Sequence, residues 1–241
     1  GRMFNLDWDP AHQRAGVDAA LDIEVDGRPV RFEVEVKSTT GRTVSTARDV
    51  GMEHIRKWRR KLFVIGFYSR DARRPELQRA LCLTPVDMEP WIASVEDRIA
   101  IDHKIAQRAA RKLELEDLFD VCGRRDSYSL EDAKRLHKQQ WTAGEYAASV
   151  DTTVGSERRI SQRQMLEILR LRSRYIAERG ATLNNPHITK AHLDRFAGSA
   201  REVAAPNWAM AVRGIAAAFV REFPGHPAII RGTDDGRAPG D

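Results

Sequence analysis

The sequence predicts an α/β fold with a mainly helical C-terminal half, and three observations carry that prediction. Two alternating runs, Asp18 to Val25 and Val30 to Lys37, flank Asp26-Gly27. A continuous apolar run, Leu62 to Tyr68, follows an amphipathic stretch. Beyond about Val86 the apolar residues recur at helical rather than strand spacing.

In the first run Ala19, Leu21, Ile23 and Val25 fall on one side, and Asp18, Ala20, Asp22 and Glu24 on the other. That is the pattern of a half-buried strand. Asp-Gly is a pair suited to the positive φ angles of a tight hairpin turn, and Phe32, Val34 and Val36 then alternate with Glu33, Glu35 and Lys37. The two runs therefore read as a β-hairpin. Ala47, Gly51, Ile55, Trp58 and Leu62 recur at helical spacing, with Asp49, Glu53, Arg56 and Arg60 off that stripe, which predicts an amphipathic helix. LFVIGFY is short, apolar and unbroken, as expected of a strand buried on both faces, and Leu77 to Leu83 reads as a second strand beside it.

The remaining chain predicts helices over Met88 to Leu113, Ser129 to Gln140, Ser161 to Arg179, Thr189 to Phe196 and Asn207 to Phe223. Ser129 with Asp132 forms a capping-box pattern, and Thr189 is an N-cap candidate. The expected division is a core over 1–86, a helical region over 87–231, and a disordered tail over 232–241. Arg163, Arg170 and Arg174 share one helix face, but the turn from Gly180 to Pro186 is longer than a usual helix-turn-helix allows, which favours ordinary helix packing.

Composition narrows the function classes. With 41% hydrophobic and 31% charged residues, the chain of 241 residues has an ordinary globular balance, and a net charge of +5 permits an acidic partner without requiring one. Cys82 and Cys122 stand alone, in no metal-binding or disulfide pattern. The most apolar stretch, Val203 to Phe223, contains Pro206 and is cut by Arg213, and no apolar run follows basic residues near the N-terminus. No membrane span or signal peptide is therefore expected, and the expected location is the bacterial cytoplasm. Phosphate-binding P-loops, dinucleotide-binding glycine motifs, HExxH and the Gly-x-Ser-x-Gly elbow are all missing, which removes the main support for ATP-driven, redox and serine-hydrolase activities.

The chemistry is concentrated at Glu35-Val36-Lys37. Alternation places the carboxylate and the amine on one strand face, and an antiparallel hairpin can bring Asp18 near Glu35. Two carboxylates, with the main-chain carbonyl of Val36 as a third oxygen, are a hard ligand set for Mg2+, and Lys37 sits beside it. Such a set suits phosphodiester hydrolysis. Asp22, Glu24 and Glu33 share the polar face and are alternative ligands, because hairpin register decides which carboxylates meet. A solvated ladder of charges on that face is the plainer alternative.

Gly16-Val17-Asp18, a spacer, Phe32-Glu33-Val34-Glu35-Val36-Lys37-Ser38, then a helix and a buried strand resemble the catalytic core of the PD-(D/E)xK nuclease superfamily. Within it, the hairpin, the helix with His54, Lys57 and Trp58, and the strand LFVIGFY look most similar to type II restriction endonucleases. The resemblance covers roughly residues 14 to 70. Val17 stands where the motif's name has proline, a departure common in the family. The resemblance implies a restriction-endonuclease-like core and a Mg2+-dependent, usually homodimeric endonuclease that cuts double-stranded DNA. It also implies Asp18 and Glu35 as metal ligands and Lys37 as the catalytic lysine. A repair, recombination or modification-dependent nuclease, and a non-catalytic DNA-binding protein on a nuclease fold, are the alternatives.

DNA contacts are expected at Ser38 and on the helix flank at His54, Lys57 and Lys61, which fall at i, i+3 and i+7. Trp58 lies on the apolar stripe and is expected in the core. Asn184, Asn185 and His187 form a polar loop suited either to reading base edges or to plain turn chemistry.

Overall fold

The structure, a computed structural model, describes residues 4–7, 18–70 and 75–231. The tail expected to be disordered, and Gly16-Val17 of the motif, lie outside the described residues. In chain order the first elements are β1 (Ala19–Val25), β2 (Arg28–Thr39), α1 (Met52–Trp58), β3 (Lys61–Tyr68), β4 (Leu77–Leu83) and α2 (Pro85–Arg111). They are followed by α3 (Leu115–Cys122), β5 (Ser127–Tyr128), α4 (Leu130–Leu136), α5 (Ala143–Ala148), β6 (Thr152–Val154), β7 (Glu157–Ser161) and α6 (Gln162–Gly180). The last are α7 (Lys190–Asp194), β8 (Glu202–Val203), α8 (Trp208–Glu222) and β9 (Ile230–Arg231). The protein is α/β with a mixed central sheet.

Two compact units result, one of Gly1–Asp97 with Leu183–Asp241, the other of Arg98–Thr182. The single division expected near residue 86 is thus corrected. The C-terminal segment belongs to the first unit because the sheet needs it: β8 pairs with β4, β9 with β2, and α8 covers an apolar sheet face.

In the first unit the strands are ordered β1-β2-β3-β4-β8. Asp26 and Gly27 take φ of 52° and 74°, and this Asp-Gly turn sets the register Val25↔Arg28 to Ala19↔Val34. β3 runs parallel to β2, so the chain must cross over between them, and residues 40–60 with α1 are that crossover. β4 returns antiparallel to β3. Leu21, Phe32, Val34, Leu62 and Val64 pack with Val212, Ile215 and Phe219 of α8. On the opposite face Phe63, Ile65, Leu81 and Leu83 are fully buried. Trp58 of α1 meets Trp91 of α2 with ring centroids 5.1 Å apart, as its place on the apolar stripe predicts. Arg59, just past α1, ties the two helices further by donating to Glu89 at 2.7 Å and to Glu96 at 2.6 Å. α2 begins with Pro85 behind Thr84, whose hydroxyl and amide both donate to Asp87.

The second unit is built on a small core of Leu118, Tyr128, Ala133, Tyr146, Ile160, Met165 and Ile168. Its three strands pair antiparallel in the order β5-β7-β6. Reciprocal caps at Ser129/Asp132 and Thr142/Glu145 start α4 and α5, the first as the sequence predicts. The strands of this unit were not expected: they are two, three and five residues long, too short for alternation to stand out. Among the described residues no helix is long and apolar enough to cross a membrane.

Candidate active site

The site sits where β1 and β2 come together at the end away from their turn. The register Ala19↔Val34 and Ala20↔Glu33, carried one step further, sets Asp18 across from Glu35. There the Asp18 carboxylate replaces a ladder carbonyl, accepting the Val36 amide at Oδ2 over 3.0 Å. Alternation along β2 turns Glu35 and Lys37 to the same face. Lys37 Nζ lies 2.6 Å from Glu35 Oε1 and 3.6 Å from Asp18 Oδ2, so the ammonium stands between the two carboxylates.

A second lysine completes the cluster. Lys61 opens β3, opposite Glu33 in the parallel register, and its Nζ donates to Glu35 Oε2 at 2.9 Å. Both oxygens of Glu35 are therefore ion-paired, and burial explains why: Glu35 is only 7% exposed and Lys61 only 6%. A buried carboxylate without partners would be strongly destabilised. Burial pushes the Glu35 carboxyl upward, but the two ammonium groups outweigh it and hold the group below its ordinary value. For Lys37 burial works downward, and Glu35 with Asp18 reverses it, leaving the ammonium above its ordinary value. His54 on α1 is half-buried and held below its ordinary value, first by burial; its neighbours include Glu53, Lys57, Glu35 and Lys61. α1 thus brings His54 within electrostatic range of the cluster.

Asp18, Glu35 and Lys37 are brought together, with the Val36 amide on Asp18; of the other expected residues Lys61 joins the cluster, His54 lies near it, and Ser38 and Lys57 separate from it. Lys61 is corrected: it does not continue the helix flank, because α1 ends at Trp58, and it is a buried partner of Glu35 rather than an exposed cation. Alternation places Ser38, which is exposed, on the strand face of Val34 and Val36, opposite to Glu35 and Lys37. Lys57 is exposed on α1 and pairs with Glu53 at 2.7 Å. Of the alternative carboxylates, Asp22 lies opposite Arg31 and pairs with it at 2.9 Å, and Glu24 lies opposite Pro29 near the turn. Glu33 shares the face but lies opposite Ala20. The role of Lys61 is not legible in the sequence; its one signal is a charge at the head of an otherwise apolar strand.

The polar loop beyond residue 183 has a structural task. Val44 pairs with Ile188 and Val50 with Leu183, the Asn185 side chain accepts the Thr46 amide at 3.0 Å, and the Pro186 carbonyl accepts the Thr46 hydroxyl at 2.6 Å. Asn185 adopts φ of 51°, as the turn chemistry expected of this loop requires. The loop that follows the active strand is thereby clamped from the other end of the chain.

Among the described residues no group of three or more His, Cys, Asp or Glu side chains could hold a metal ion, and the acidic oxygens gathered at the site are those of the two carboxylates. Hard oxygens of this kind suit Mg2+, an ion that keeps several waters. The position of Lys37 shows that a positive charge fits between Asp18 and Glu35. No family model, curated protein or solved structure matches the chain, so its arrangement of charged groups is what speaks for its function.

Proposed function

We propose that the protein is a Mg2+-dependent, site-specific deoxyribonuclease of the type II restriction kind, hydrolysing phosphodiester bonds in double-stranded DNA. One observation carries the reading: two carboxylates from adjoining strands converge on one cation, with the ExK lysine itself standing between them. A solvated charge ladder does not bury its carboxylate, and Glu35 is buried. The hairpin, crossover helix and parallel strand that frame the cluster are also the elements the motif resemblance implies.

Asp18, Glu35 and the Val36 carbonyl would hold the metal. When bound, Mg2+ supplies phosphate polarisation and a more acidic water. Lys37 stays an ammonium at neutral pH, since its ion pairs hold it above its ordinary value. It therefore donates to the scissile phosphate and stabilises the charge that builds on phosphorus, rather than abstracting a proton. Lys61 keeps hold of Glu35 Oε2 and leaves Oε1 to Lys37. Cutting both strands of a two-fold site calls for two copies of this cluster, which makes a homodimer the working assembly.

A digest of phage DNA with Mg2+, followed by sequencing of the ends, tests the reading. Discrete fragments with one recurring terminal sequence are expected. Uncut DNA, or ends with no common sequence, would overturn it.

A further inference from the structure

The second unit, Arg98–Thr182, carries a surface that this chemistry does not use. Its elements run α3, β5, α4, α5, β6, β7, with the strands paired β5-β7-β6. α4 and α5 are consecutive helices joined by residues 137–142, and β6 and β7 form a hairpin around Gly155, whose φ is 62°. Two successive helices followed by a hairpin, with β5 completing a three-stranded sheet, follow the element order of a winged helix-turn-helix whose turn, residues 137–142, is longer than the usual form. Ala133 of α4, Tyr146 of α5 and Ile160 of β7 meet in one core, so the helix pair and the wing are held together.

The charge on this surface is arranged for a polyanion. Lys138 in the turn and Arg158 in the wing are exposed, and neither makes an ion pair or a side-chain hydrogen bond among the described residues. Alternation along β7 puts Arg158 on the face that Ile160 turns to the helices. The acids nearby are already engaged: Asp132 by Arg125 and Arg135, Glu157 by Arg159, and Glu145 by the Thr142 amide and hydroxyl. The exposed positions of α5 include Ala143, Ala147 and Ala148, which offer no hydrogen-bonding side chain for base edges.

We propose that the second unit is a winged helix-turn-helix that docks on duplex DNA through its turn and wing, gripping phosphates with Lys138 and Arg158 and adding affinity without sequence readout. The inference rests on the topology and charge of this unit, not on the chemistry assigned to Asp18, Glu35 and Lys37.

Fluorescence anisotropy of the full chain with a labelled mixed-sequence duplex, in chelator and over a salt series, tests it. Releasing the grip on one phosphate should weaken binding about eightfold near about 0.1 M salt and flatten the log-log salt slope by about one. Lys138→Gln with Arg158→Gln should therefore bind roughly 60-fold more weakly, with a slope lower by about two. Far-UV circular dichroism should match the parent, since both side chains are exposed. Chelator removes metal-dependent cleavage, so binding is read whether or not the nuclease reading holds, and a failure of one is distinguishable from a failure of the other. A double variant with the parent's affinity and slope would overturn the proposal, as would a parent that does not bind duplex DNA.

Discussion

Glu35→Gln should destabilise the protein strongly, and Lys61→Met in the same chain should restore much of the stability. The reason is the asymmetry of the two lysines. Lys37 is 17% exposed and also faces Asp18, so it keeps a counter-ion and some water when Glu35 is neutralised. Lys61 is 7% exposed at the side chain and has Glu35 as its one ion-pair partner among the described residues. An unpaired buried charge costs about 3–5 kcal/mol, and replacing a buried pair by apolar groups of similar volume is often close to neutral. Glu35→Gln alone should therefore cost about 3–5 kcal/mol, and Glu35→Gln with Lys61→Met about 2 kcal/mol less than that. The assay is urea unfolding followed by tryptophan fluorescence, since Trp58, Trp91 and Trp208 are all buried in the first unit. With a slope of about 3 kcal/mol/M for a chain of this size, the single variant should drop by about 1–1.7 M in midpoint. A Glu35→Gln protein as stable as the parent, or a double variant less stable than the single one, would refute this account of the cluster.

Lys37→Ala should lower the cleavage rate by at least about a hundredfold while DNA binding weakens little, because the lysine matters as charge builds on phosphorus; single-turnover rates and anisotropy check it. The pH dependence follows from Glu35, whose folded value lies below the ordinary 4.5. Its contribution to stability should be complete above that pH and disappear as the pH falls through the folded value, and in Lys61→Met the decline should begin at higher pH; urea midpoints across the acid range read this. Asn185→Gly should cost about 1 kcal/mol through the missing bond to Thr46, and Asn185→Ala about 1 kcal/mol more, because alanine must also take the positive φ; chemical denaturation distinguishes the two.

The strands that carry the site were legible because each makes a local signal. Asp26-Gly27 fixes a turn, the alternation on either side fixes a register, and LFVIGFY is too apolar for a surface strand; β4 runs over the residues its sequence indicated, Leu77–Leu83. Asp18, Glu35 and Lys37 could be grouped because period-two alternation and hairpin pairing together place them on one face. What the sequence hid was tertiary. Glu35 reads as a polar-face residue, and only the parallel strand beside it, delivering Lys61, makes a buried carboxylate tenable. The helix stripe from Ala47 to Leu62 merges a seven-residue helix with the start of β3, which carries Lys61 onto the wrong element. β8 and β9 are two residues each and join the sheet from more than 100 residues away, so nothing local announces them. The helix-turn-helix is hidden for a related reason. The conspicuous arginines lie on the long helix α6, where Arg170 in fact donates to the Leu113 carbonyl, while α5 and the wing strands are too short to show a period.

The central claim is that Asp18 and Glu35 form a metal-dependent cutting site, and Asp18→Asn tests it most directly. Asparagine can still accept the Val36 amide that Asp18 accepts at 3.0 Å, so the hairpin end is preserved while one negative charge is removed. The measurement is single-turnover cleavage of duplex DNA by parent and variant across a Mg2+ series, with chelator as the zero point. The account predicts Mg2+-dependent cleavage by the parent, none in chelator, and a variant slowed by at least about a hundredfold that folds like the parent. Parent cleavage that persists in excess chelator, or an Asp18→Asn protein that cuts as fast as the parent at every Mg2+ concentration, would contradict it.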